Sequence, residues 1–390
     1  MKTNNNHENF DLQKHIEKGV EQIVADCVKA TLKNPKESIF MARFAAASKK
    51  ASRIRMDLEK CGEHVPGFLI ASVTSSCNLH CSGCYSRCIE TTTDETPVCQ
   101  LSGEEWKKIF EEARSLGISF ILVAGGEPLL RRDIIKSAGE IPEILFPIFT
   151  NGTCMDEEYM ALFDKCRNLV PVLSIEGEQE ATDSRRGEGM YGIITENMRR
   201  LQKKMLIFGA SITVTTDNME EVMNEDFVKS LLDKGCRMVL YIEFVPVTQE
   251  AKHLAPGDKE RKYMEKAMAV LREKFPDTLL LSFPGDELAM GGCMAAGREF
   301  FHINSHGGAE PCPFSPFSDI NVKTASLRQA LRSPLFTKMR AAGLLQGEHD
   351  GGCVLYEKRD KVEALLRPEE NDGKSAACPG VSQLSGKKLI

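Results

Sequence analysis

Six short apolar runs, at 68–73, 118–124, 144–149, 170–175, 206–214 and 238–245, alternate with amphipathic stretches through the middle of this chain. Runs of this length, rich in Val, Ile, Leu and Phe and bounded by polar residues, read as strands. Between the first two, Trp106, Ile109, Phe110, Ala113 and Leu116 recur at helical spacing within 104–116, and similar patterns surround Tyr159, Asn197, Val228 and Met264. Strands that alternate with helices pair in parallel, with the helices covering one face of the sheet. Six such units are compatible with an incomplete barrel, so the expected fold is α/β, a partial (β/α)6 TIM-like barrel.

At 390 residues the chain exceeds the usual size of one hydrophobic core, so appendages are expected. Residues 1–66 read as an N-terminal helical extension. Ile16, Val20, Ile23, Val24 and Val28 fall at helical spacing, Pro35 breaks the pattern, and a second helical stretch follows over 38–60. The core domain spans 67–285. After Asp286 the strand-helix rhythm gives way to glycine-rich, cysteine-bearing segments, which suggest a small separate C-terminal domain over 286–390.

A net charge of -6 argues against a broad basic footprint for nucleic acid. No apolar run reaches the roughly 18 residues of a membrane span, and the polar start lacks the layout of a secretory signal. A cytoplasmic protein without membrane attachment is expected. In that compartment the 14 cysteines remain thiols, which favours metal binding or catalysis over disulfides. Cys27, Cys61, Cys99, Cys154, Cys166 and Cys236 sit singly and read as small buried hydrophobes. The other eight form two groups.

The first group lies just after the first strand, in Cys77-Asn78-Leu79-His80-Cys81-Ser82-Gly83-Cys84-Tyr85. Three thiolates in so short a span can wrap one soft metal centre, and a 4Fe-4S cube held by three cysteines keeps one iron open for a ligand. A zinc site completed by Cys88 is the bland alternative. His80 reads as a solvated loop residue. The second group comprises Cys293, Cys312, Cys353 and Cys378. Cys293 precedes an apolar run at 300–303 and Cys312 follows Gly307-Gly308, as in a hairpin that brings the two together. Zinc suits this scattered set as well, and His302 and His306 add to that possibility.

The Cys-x3-Cys-x2-Cys spacing with Tyr85 behind it resembles the signature of radical S-adenosylmethionine (radical SAM) enzymes. The likeness runs from Gly67 to about Pro284. It implies that Cys77, Cys81 and Cys84 hold a 4Fe-4S cluster whose open iron binds S-adenosylmethionine, and that reductive cleavage yields a 5'-deoxyadenosyl radical. Gly125-Gly126-Glu127-Pro128, after the second strand, matches the family's methionine-amine motif: the glycines permit close backbone approach, and Glu127 offers a carboxylate to an ammonium group. Asn151 ends the third strand, and Ser174 and Glu176 end the fourth, at positions that face the cofactor in relatives. Many relatives carry aspartate where Glu176 stands. Arg186 matches an arginine near the cofactor carboxylate, and Ser211 on the fifth strand is placed similarly. Tyr85 joins the cofactor-binding set. The pattern Cys293, Ala296-Gly297-Arg298, apolar strand, Gly307-x4-Cys312 resembles the opening of SPASM and Twitch domains, and implies one auxiliary 4Fe-4S cluster held also by Cys353, with Cys378 either its fourth ligand or a spare thiol that leaves one iron open.

The resemblance points to a radical maturase that abstracts hydrogen from a peptide or protein side chain. Oxidation or rearrangement of a small metabolite, such as a sugar, nucleotide or tetrapyrrole precursor, is the alternative, and a zinc scaffold is the non-enzymatic one. A low-potential flavodoxin or ferredoxin is the implied electron donor. Tyr85, Tyr241, Glu243 and Cys236 are conceivable relays that read better as residues of packing or local hydrogen bonding.

Overall fold

The helix expected over 104–116 forms because both its face and its start are specified locally. Ser102 accepts the Glu105 N–H at 3.2 Å while the Glu105 carboxylate accepts the Ser102 N–H at 2.8 Å, a reciprocal cap on orphan donors. Trp106, Ile109, Phe110 and Ala113 are buried on one side. The same logic repeats along the chain, for which a computed structural model describes residues 35–95, 99–345 and 353–366.

Seven parallel strands follow one another in order: β1 (Phe68–Ser72), β2 (Phe120–Ala124), β3 (Phe146–Thr150), β4 (Leu169–Ser174), β5 (Gly209–Val214), β6 (Met238–Glu243) and β7 (Leu279–Phe283). All six expected strands are present. The seventh, missed in the sequence, is the short run Leu279-Leu280-Leu281, whose period alone does not separate strand from helix end. Connecting helices bury Ile134, Ile135, Phe163, Met198, Val228 and Leu271 against the outer face. The sheet is therefore a curled half-barrel with its core between strands and helices.

Two short strands after β7 extend this same sheet. β8 (His302–Ile303) pairs in parallel with β1, and β9 (Ala309–Glu310) pairs antiparallel with β8, which is the hairpin expected between Cys293 and Cys312. The sheet order is β7-β6-β5-β4-β3-β2-β1-β8-β9.

The helical stretch expected from residue 38 begins at Pro35, as α1 (Pro35–Lys60). Proline is tolerated there because the first turn has no intrahelical use for its missing N–H. Phe44 of α1 is buried edge-on to Phe120, with ring centroids 5.6 Å apart. A buried ion pair joins Glu37 to Arg167 at 2.6 Å, so α1 is fixed to the core rather than solvated around its circumference. The helix read around Ile16 to Val28 lies outside the described residues. Among the described residues no helix is long and apolar enough to cross a membrane.

Candidate active site at the strand ends

Cys77, Cys81 and Cys84 lie on the loop between β1 and α2 (Tyr85–Cys88), at the carboxyl ends of the strands, where ligands gather in parallel α/β folds. The loop is held from several sides. The Cys77 N–H donates to the Thr93 carbonyl at 3.0 Å, and Arg87 donates to the Leu79 and Cys77 carbonyls, each at 2.9 Å. Gly83 has φ +67°, and a Cβ there would lie 2.8 Å from the Phe244 ring. His80 is exposed and pairs with Asp94 at 3.0 Å, away from the thiols; Cys88 is exposed at the end of α2.

Burial is the main cause that pushes the Cys77 and Cys81 thiols up, and a neighbouring sulfur adds to each, Cys81 to the first and Cys84 to the second. Two crowded sulfurs that resist ionisation, Cys77 and Cys81, fit a group whose cationic irons stabilise thiolates. Among the described residues no three or more His, Cys, Asp or Glu side chains are placed to hold a single metal ion. Ligands of a four-iron cube stand at its corners, farther apart than donors round one ion, so that observation does not bear on a cluster.

Gly125 and Gly126 approach the backbone that leads into the cysteine loop. A Cβ on Gly125 would lie 2.3 Å from the Thr74 carbonyl oxygen, and one on Gly126 would lie 2.0 Å from that of Ser76. The Gly126 and Glu127 N–H groups donate to those same carbonyls, each at 2.8 Å. The close approach read in the sequence as an approach to a ligand is thus also an approach to the strand extension that carries Cys77.

Glu127 is buried and its carboxylate has internal partners. It accepts from Leu129 N–H at 2.9 Å, Thr150 Oγ1 at 2.7 Å and Asn151 N–H at 2.8 Å. Of a carboxylate's roughly four acceptor sites, three are taken within the protein, so its first task is to hold the ends of β2 and β3 together. Asn151 in turn donates to Asn78 Oδ1 at 3.0 Å, and Asn78 donates to Thr153 Oγ1 at 2.8 Å. Asn78, not singled out in the sequence, ties the cysteine loop to β3.

Ser174 and Ser211 face each other with their hydroxyl oxygens 3.2 Å apart. Glu176 is 1% exposed and accepts from Arg186, which ends α3 (Gln179–Arg186), and from Thr213 N–H at 2.9 Å. Arg186 also aims Nη1 at the Cys81 sulfur, at 3.9 Å. Its Nε is buried without a protein partner, a donor left over for a bound group. Six of the residues read in the sequence, Cys81, Cys84, Ser174, Glu176, Arg186 and Ser211, therefore lie on neighbouring strand ends, loop and helix.

Cys293, Cys312 and Cys353 also converge. The Cys312 thiol is pushed up first by its hydrogen bond with Cys353, then by burial, with Cys293 adding to it. Burial pushes Cys293 up too, helped by Glu287 and Cys353. Cys378 lies outside the described residues. Tyr85 points toward this second group: its ring packs on Phe314, with centroids 4.4 Å apart, and burial followed by Cys84 and Cys312 raises its hydroxyl pKa.

Three of the residues weighed as relays, all but Tyr85, are satisfied elsewhere. Cys236 donates to the Met238 carbonyl at 3.0 Å, Tyr241 to the Val222 carbonyl at 3.0 Å, and Glu243 pairs with Arg261 at 2.7 Å. Of the isolated cysteines read as buried, Cys236 is buried, Cys154 and Cys166 are half-buried, and Cys61 and Cys99 are exposed. Exposure of the last two follows from their positions in turns outside the periodic apolar faces.

A parallel half-barrel with a cysteine loop after its first strand and a second thiol group beside it defines a cluster-dependent radical enzyme. The chain matches the Radical SAM superfamily model over residues 71–231. It is an enzyme that uses a 4Fe-4S cluster with S-adenosylmethionine, and the zinc-scaffold alternative is set aside. The AdoMet-dependent heme synthase of Methanosarcina barkeri is 24% identical over 311 residues, covering 73% of this chain and 88% of that one. The PqqA peptide cyclase of Granulibacter bethesdensis is 24% identical, over 63% of this chain and 67% of that one. The fold is similar to that of Streptococcus suis SuiB bound to its precursor peptide SuiA, with TM-score 0.59 and 15% identity over 75% of this chain and 71% of that one.

Proposed function

We propose that this enzyme modifies a side chain of a peptide or protein. Cys77, Cys81 and Cys84 hold the cluster that binds S-adenosylmethionine, with Gly125, Gly126, Asn151, Ser174, Glu176, Arg186 and Ser211 around the cofactor. Tyr85 and Glu127 complete the cofactor-binding set, Glu127 also holding the strand ends and Tyr85 packing toward the second thiol group. When bound, the cluster supplies an electron that cleaves the sulfonium and so provides a 5'-deoxyadenosyl radical for hydrogen abstraction. The chain's own part is to exclude water and fix orientation: Arg186 is held by Glu176 beside the loop, and the buried Glu127 keeps the strand ends rigid. Cys293, Cys312 and Cys353, with Cys378, hold one auxiliary cluster. Residues 1–66, 67–285 and 286–390 act as helical extension, radical core and auxiliary-cluster domain. A cytoplasmic flavodoxin or ferredoxin supplies the electron.

The observation that carries the peptide reading is a cleft of about 270 Å³ beside the cysteine loop, walled by Ser72, Thr74, Tyr85, His302, Asn304 and Glu310 among others. Hydroxyls, amides and imidazoles suit peptide groups, and the carboxylates of Glu90 and Glu310 in the wall oppose an anionic ligand. The similarity to PqqA peptide cyclase and the fold of SuiB support the same reading. The heme synthase relative favours a second one, a tetrapyrrole carrying propionates, which needs cations that this wall does not present. Anaerobically reconstituted enzyme with deuterated peptides or deuterated porphyrins decides between them. Label appearing in 5'-deoxyadenosine from a peptide is expected, and transfer from the porphyrin alone overturns the reading.

A further inference from the structure

Three of the residues that line this cleft form a hydrogen-bonded chain. His302 is 4% exposed, Nδ1 lies 2.7 Å from the Glu310 carboxylate and Nε2 lies 2.7 Å from Ser72 Oγ. The partners assign the tautomer: a carboxylate accepts, so Nδ1 carries the proton, and Nε2 is then free to accept from the Ser72 hydroxyl. Asn304 donates to the other Glu310 oxygen. Ser72 is half-buried and lines the cleft, so its oxygen is the end of the chain that a ligand meets.

The arrangement is fixed by the sheet. Ile70 of β1 pairs with His302 of β8, and His302 pairs with Glu310 of β9, which sets the three side chains on one face across three neighbouring strands. The cleft shares Tyr85 and Gly125 with the cofactor group, whereas Asn151, Ser174, Glu176, Arg186 and Ser211 do not line it. It therefore flanks the cysteine loop on the side away from β4 and β5.

We propose that Ser72, His302 and Glu310 form a proton-accepting chain for a hydroxyl or amide of the substrate, with Ser72 Oγ the contacting atom, His302 the base and Glu310 a positioning residue. In this step the substrate O–H or N–H bond breaks and its proton joins Ser72 Oγ, while the Ser72 hydroxyl proton passes to His302 Nε2. The substrate gains one negative charge and the imidazole one positive charge beside Glu310. No electron is transferred. An oxygen or nitrogen relieved of its proton pushes electron density onto the adjacent carbon and makes its C–H a better hydrogen donor to a radical. An acceptor oriented by a third group is the general arrangement that activates a hydroxyl.

That a peptide supplies the hydroxyl or amide rests on the reading given above, but activation of Ser72 is testable without the substrate. A fluorophosphonate probe added anaerobically to the reconstituted enzyme, followed by peptide mapping, reads the reactivity of each serine. Labelling at Ser72 is expected, slowed on the order of 10²-fold by His302→Gln. Glu310→Gln, which releases the ring to turn, slows it by at least roughly tenfold. Iron and sulfide content and far-UV circular dichroism report whether the variants fold. Wild-type enzyme unlabelled at Ser72, or labelled no faster than His302→Gln, overturns the proposal. A failed deuterium transfer from peptides leaves this result standing and removes only the substrate class.

Discussion

The Arg186 guanidinium lies 3.9 Å from the Cys81 sulfur, on the end of a helix that begins just after β4. Its second partner is the buried Glu176 carboxylate, which Arg185 also approaches at 3.4 Å. Removing Arg186 takes from the buried carboxylate its closer guanidinium and leaves the Arg185 contact at 3.4 Å, which sets the cost at the low end of that for a broken buried pair, about 3 kcal/mol. Arg186→Met is expected to lower the stability of the apoprotein by about that much in urea unfolding, and Arg186→Met with Glu176→Gln to recover most of it. Equal losses in the single and double variants would falsify the pairing.

Replacement of Cys77, Cys81 or Cys84 by alanine is expected to abolish formation of 5'-deoxyadenosine under dithionite, while Cys88→Ala, at an exposed helix end, keeps most of it. Chromatography of the products, alongside iron content, checks both halves. Loss of the cluster in Cys88→Ala alone rejects the ligand set.

Gly126→Ala places a methyl group 2.0 Å from the Ser76 carbonyl oxygen, adjacent to Cys77. Backbone cannot yield as a flexible side chain does, so a destabilisation of about 1–3 kcal/mol is expected from overpacking. Reconstituted iron should fall with it, because the displaced strand extension carries Cys77, one of the three proposed ligands. A variant with unchanged iron and unchanged melting temperature argues that the β1 and β2 ends are not coupled in this way.

For the second thiol group, Cys293→Ala, Cys312→Ala and Cys353→Ala are each expected to lower bound iron while sparing uncoupled cleavage of S-adenosylmethionine. Iron and sulfide analysis on anaerobic protein measures the first, and 5'-deoxyadenosine without substrate measures the second. Undiminished iron in all three variants removes these residues as ligands.

Much of this was legible in the sequence because it is local. Strand and helix periods and the Cys77-x3-Cys81-x2-Cys84 spacing each write their structure within a few residues. The partners of Glu127 were not legible: Thr150 and Asn151 come from another strand end, and only the parallel register of β2 and β3 brings them to it. The direction of Tyr85 depends on Phe314, more than 200 residues away, and Ser72 gave no signal until β8 placed His302 beside it. The isolated β7 run was overlooked because three leucines before a serine fit several conformations. The Cys61 and Cys99 exposures show that residue type is a weak guide where no apolar face surrounds it.

The parallel ladder between β8 and β1 gives the C-terminal third of the chain a role in covering an otherwise unsatisfied border. A protein cut after Phe283 would present the naked amides and carbonyls of its first strand, together with the Phe68 ring that Phe300 now shields, to any neighbouring copy. The hairpin is thus a splint as well as a carrier of thiols, and the two thiol groups inherit their spacing from one shared piece of backbone.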